Sequence, residues 1–157
     1  SINVGPGSRA YSLLPGRIYL NLRDREPEGS VSSTDAASIL DALTDMLRSV
    51  RIPESGTPVF TDILRGTAVY SGECVDMAPD LVAVPVRGIE LKSRMVPGPL
   101  FQSSQLSGMH TPDDALVWFR NGTPDTSQPG IIDMYPTILN FFALDDGTSE
   151  GNCFVHW

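Results

Sequence analysis

The run Asp80-Leu81-Val82-Ala83-Val84-Pro85-Val86 constrains the fold more than any other part of the chain. After its first residue every side chain is apolar, with no alternation between a wet and a dry face, so it reads as a strand covered on both sides. Such a strand needs neighbours in a sheet and something packed on each face. Pro85 cannot donate to a ladder, which places an edge at the strand's far end. A second short strand is expected at Ile89 to Leu91.

The material for that cover is present elsewhere. Gly16 to Leu22 alternates, with Ile18, Leu20 and Leu22 on one face and Arg17, Tyr19 and Asn21 on the other, the pattern of a half-buried strand. Ser33 or Thr34 can cap a helix whose apolar residues Ile39, Leu40, Leu43, Met46, Leu47 and Val50 recur at helical spacing, stopped by Pro53. A turn through Gly56 leads into an extended stretch from Pro58 to Leu64. Further on, Ala115 to Phe119 reads as a strand and Asn121-Gly122 as a turn. Asp133 can cap a second helix carrying Tyr135, Ile138, Leu139 and Phe142, with Pro136 tolerated in its first turn. The tail after Leu144 is polar and reads as loose. Alternating strands and helices predict an α/β or α+β fold, and 157 residues with 41% hydrophobic content suffice for one sizeable core.

Two segments read as loops. Arg23 to Ser33 mixes charges with Pro27 and Gly29, which argues for a solvated surface loop, with Arg23 or Arg25 as candidates for substrate contact. Lys92 to Asp114 has no sustained period, and compact domains seldom keep so long a loop without a functional reason. His110 lies near its end. Gly108 allows close backbone approach, Met109 can anchor inward, and Thr111-Pro112 stiffens the exit.

Charge removes one class of function. Eleven basic against 19 acidic residues leave a net charge of −8, and the ten Arg and single Lys are scattered, so no nucleic acid partner is expected. No apolar run approaches the ~18 residues of a membrane span. Cys74 and Cys153 have no metal-ligand spacing, and two unpaired thiols in a reducing, cytoplasmic compartment are expected. Residues 1–9 lack the features of a signal peptide and read as an unstructured lead-in behind a cut or processing site.

Motif by motif, little chemistry is self-contained. Gly5-Pro6-Gly7 has no strand before it or helix after it to aim amides at a phosphate. The sequon Asn121-Gly122-Thr123 is explained by a turn. No Ser lies in Gly-x-Ser-x-Gly, and His156, in the tail, is a poor general base. His110 and His156 are the only imidazoles, whereas a hydrolytic zinc site uses three or more protein ligands.

Four blocks nevertheless occur in order: Gly16-Arg-Ile-Tyr-Leu-Asn-Leu-Arg-Asp-Arg-Glu-Pro-Glu-Gly29, Ala78-Pro-Asp-Leu-Val82, Gly108-Met-His-Thr-Pro-Asp113 and Ile132-Asp-Met-Tyr-Pro-Thr-Ile-Leu139. Together they resemble the C-terminal part of the type I phosphodiesterase and nucleotide pyrophosphatase family of the alkaline phosphatase superfamily, over roughly residues 10 to 144. The resemblance implies an α/β fold: a small α+β lobe at 16–90, then a metal-ligand loop, strand and C-terminal helix at 91–144 that belong to an alkaline-phosphatase-like α/β sandwich. It implies a hydrolase of phosphoric diesters or pyrophosphates with two zinc ions, acting on a phosphoester or nucleotide substrate, and His110 matches the family's last metal ligand. The nucleophile and remaining ligands belong upstream of the Gly-Arg-Ile-Tyr strand, and residues 1–15 resemble none of them. Residues 1–157 are thus expected to be one C-terminal segment of a larger hydrolase domain. It would be inactive alone, hold no catalytic residue of its own, partner with the remainder of that domain, and self-associate through exposed apolar edges. The alternative is a stand-alone, non-catalytic binding module of the same descent, binding through residues 94–113, with His110 a leftover.

Overall fold

The computed structural model describes residue 5 and residues 7–93, 97–103, 108–111, 115–125, 128–144 and 147–156. The chain divides into two compact units, Ser1–His110 and Thr111–Trp157. Helices and a small antiparallel sheet give a mixed α/β content.

In the first unit, strands β1 (Ala10–Leu14), β2 (Arg17–Leu20), β3 (Phe60–Arg65) and β4 (Leu81–Pro85) form one antiparallel sheet in the order β1-β2-β4-β3. The apolar run is therefore an interior strand, and Leu81, Val82 and Ala83 are all buried as expected. Along β4, β2 pairs with Leu81 and Val82, so Pro85 lies past the last β2 partner and is paired with Phe60 of β3. The β1–β2 turn carries Gly16 at φ +70°, where a Cβ would stand 2.5 Å from the Ala83 carbonyl oxygen. Glycine is required there twice over, by backbone conformation and by the approach that lets Ala83 N–H donate to the Gly16 carbonyl at 2.8 Å.

Helix α1 (Ser33–Ser49) lies on the core formed by Leu20, Val31 and Ile39, with Ala36, Leu40 and Leu43 packed against it. Its cap is Ser32, one residue before the predicted pair, because the Ser32 hydroxyl accepts from the Asp35 N–H at 3.2 Å. The helix is rolled relative to its apolar stripe. Thr44 is buried, returning its hydroxyl proton to the Leu40 carbonyl at 2.7 Å, whereas Met46 is more than half exposed. Following β3, the four-residue helix α2 (Gly66–Val69) crosses Pro79 so closely that a Cβ on Gly66 would stand 1.8 Å from the Pro79 carbonyl oxygen.

Several expectations are corrected here. Asn21 is buried although its strand parity points outward, because β2 ends at Leu20 and the Asn21 amide instead donates to the carbonyls of Ser8 (2.9 Å) and Glu28 (3.2 Å). Residues 89–91 form no strand; Gly88 at φ +89° turns the chain after Val86. Residues 115–119 are irregular, with Leu116 and Trp118 well exposed, since no strand among the described residues pairs with them to take their backbone hydrogen bonds.

The second unit overturns the loose tail. Strand β5 (Thr123–Pro124) pairs with β6 (Val155–His156), and Phe154 and Val155 are almost fully buried. Helix α3 (Met134–Phe141) follows a 3₁₀ turn at Ile131–Asp133. Asp133 precedes α3 as expected, but its carboxylate serves a wider purpose than capping. It accepts the Asn152 N–H and the Gly130 N–H, each at 2.8 Å, and those two donors, Asn152 first, hold its pKa below the usual carboxylate value. One turn later the buried Thr137 hydroxyl donates to the Asp133 carbonyl at 2.7 Å and accepts from the Phe154 N–H at 3.3 Å. The polar tail is ordered because its backbone donors find these two side chains.

Two substitutions test these anchors. Thr137→Val keeps the side-chain shape but leaves the buried Phe154 N–H without its acceptor; it should destabilise the second unit by about 1–2 kcal/mol, seen as faster exchange of the Phe154 amide. Asp80→Ala, which takes the carboxylate away from the donors described below, should lower the urea stability of the first unit by roughly 2–3 kcal/mol. An unchanged unfolding midpoint would show that the carboxylate does not hold the lobe together.

Candidate functional site

A cleft of about 490 Å³ opens in the first unit where the Leu22–Arg25 loop, the start of α1, the β3–α2 junction and residues 75–80 converge. One guanidinium organises it. Arg25 Nη2 donates to the Leu20 carbonyl and to Asp80 Oδ2, both at 2.7 Å, while Nη1 reaches Asp80 Oδ1 at 3.3 Å. Nε donates to Glu26 Oε1 at 3.0 Å. Asp80 Oδ2 in turn accepts the Leu20 N–H at 2.6 Å, so a single carboxylate ties the end of β2 to the head of β4. Burial pulls the Arg25 pKa down, but the hydrogen bonds and charges of Asp80 and Glu26 outweigh it and leave the pKa raised. The pair is bidentate and only about a fifth exposed, the setting in which an ion pair organises structure.

A second layer backs this group. The Tyr19 ring lies 5.9 Å from the Arg25 guanidinium carbon and stacks on Tyr11 at 5.3 Å with planes 10° apart. The Tyr11 hydroxyl donates to Glu26 Oε1 at 2.5 Å. Arg25, predicted to sit in a solvated loop as a candidate substrate contact, is instead the hub of the lobe, with its donors committed. Arg23, the other candidate, is exposed, its backbone N–H donating to the Val31 carbonyl at 3.0 Å.

The remaining cleft wall is polar on one side. Arg65 Nη2 contacts Asp41 Oδ1 at 2.5 Å, while its Nη1 is buried without a partner among the described residues. Ser33, Thr67, Asp24 and Asp76 also line the cleft, together with the apolar Leu22, Val31 and Leu40. The lining holds no histidine or cysteine, so no Ser-His or Cys-His pair is assembled there. Arg65 and Thr67 escaped the sequence reading, since they lie in a stretch without a motif; only the charged residue closing a strand hinted at Arg65.

His110 lies apart from the cleft lining, exposed, in a stretch of irregular chain at 108–111. Its imidazole makes no hydrogen bond among the described residues. Gly108 has open space where a Cβ would be, so the backbone approach it permits is made to nothing here, and Met109 is 40% exposed rather than anchored inward. Pro112 and Asp113 of the same block, and residues 94–96 and 104–107 of the predicted long loop, lie outside the described residues; the stretches 97–103 and 108–111 carry no regular element. A neutral imidazole suits zinc, but a single donor is not a site, and among the described residues no three His, Cys, Asp or Glu gather as ligands. Among the described residues, the donors therefore do not make up a complete zinc centre.

Cys74 is exposed and Cys153 half-buried, both free thiols, with Cys153 Sγ donating to the Val155 carbonyl at 3.4 Å. His156 belongs to β6, its backbone opposite Thr123. No helix among the described residues is long and apolar enough to cross a membrane. No family model, curated protein or solved structure matches the chain.

The Tyr11 phenol offers a direct probe of the hub. Burial, then its hydrogen bond to the Glu26 carboxylate, pushes its pKa from 10.0 up to about 12. A raised folded-state pKa means that the native chain holds the proton more tightly than the unfolded one. The resulting stability is complete below pH 10.0 and is lost progressively as pH rises toward about 12. Ultraviolet titration should show a late-ionising component that is lost in Tyr11→Phe; if the normalised curves of the two proteins superimpose, the Tyr11–Glu26 bond is not formed in solution.

Proposed function

We propose that these 157 residues are the C-terminal part of a metal-dependent phosphoric diester or pyrophosphate hydrolase, with His110 as one ligand of a two-zinc centre. The other ligands and the nucleophile come from outside these residues, and the chain alone is inactive. The reading rests on four sequence blocks in the order of the type I phosphodiesterase and nucleotide pyrophosphatase family.

The observation that carries it furthest is the Arg25–Asp80 pair. It joins the first block, through Arg25 and Leu20, to the second, through Asp80, so residues about 55 positions apart act as one structural unit. That linkage gives the two blocks a shared physical reason to occur together. The fourth block likewise contains Asp133 and Thr137, both used to order the second unit. The third block differs in kind: its His110 is exposed and supports nothing among the described residues, as suits a side chain reserved for a ligand rather than for the core.

In such an enzyme the zinc pair, when bound, supplies an activated nucleophile and neutralises charge on the transferring phosphoryl group. The part of this chain is to present one neutral imidazole. A second reading, a non-catalytic binding module of the same descent, draws on the cleft, which is lined by both polar and apolar side chains.

Zinc titration followed through the histidine ring resonances tests the first reading. Weak binding that shifts His110 and disappears in His110→Ala is expected, whereas saturation at one equivalent would overturn the incomplete-site reading. In the complete enzyme, His110→Ala should lower diester hydrolysis by at least about a hundredfold, with an unchanged circular dichroism spectrum. Undiminished turnover would remove His110 from the centre.

A further inference from the structure

We draw no further inference here: the strongest candidate, the cleft of the first unit lined by Arg65, Ser33, Thr67, Asp24 and Asp76, carries nothing, because Arg65 Nη1, unpaired among the described residues, is closed off from solvent while the other four residues are exposed, and nothing in the structure shows what the cleft would hold.

Discussion

One carboxylate at the head of an apolar strand carries much of the first unit. Asp80 receives the Leu20 N–H and the Arg25 guanidinium together, where β2 ends and the interior strand β4 begins. Without it, the last donor of β2 and a largely buried cation would both lack an acceptor, and leaving such groups unpaired costs more than the pair itself gains. Arg25 extends the tie to the Leu20 carbonyl and to Glu26, and Glu26 to Tyr11 on the edge strand β1. The loop that looked solvated is thereby drawn against the sheet, and the cleft beside it follows from that.

The second unit repeats the device with backbone N–H donors in place of a guanidinium. Asp133 and Thr137 offer three acceptor positions to backbone N–H donors that no regular ladder would otherwise satisfy. The gain is an ordered C-terminal strand in a unit of few strands; the consequence is a helix that buries Thr137 and leaves Ile138 more than half exposed. Local polar satisfaction has overruled hydrophobic burial within that unit.

Legibility varied with the range of the interaction. The apolar run at 81–86, the α1 periodicity and the strand at 17–20 could be read directly, because each signal lies in consecutive residues. Asn21, Met46 and residues 115–119 were misread for one shared reason: parity and periodicity describe what a segment could bury, not what its neighbours cover. The tail after Leu144 looked loose because its order depends on acceptors nineteen and seventeen residues earlier in the chain. Of the candidate site, His110 stood out in the sequence as a residue type in a motif, whereas the Arg65 and Thr67 wall of the cleft had no motif to announce it.

By itself the sequence determined that a fully apolar strand must lie inside a sheet, that α1 must cover part of it, and that the charge of −8 disfavours a nucleic acid partner. These follow from composition and spacing alone. Tertiary structure decided which polar groups would be spent on the fold and which left free: Arg25 and Asp133 are committed, while His110 stays exposed. It also decided that α3 buries Thr137 while Ile138 stays exposed. Those outcomes hinge on hydrogen bonds between residues far apart in the chain, whose partners exist only once the backbone has closed around them.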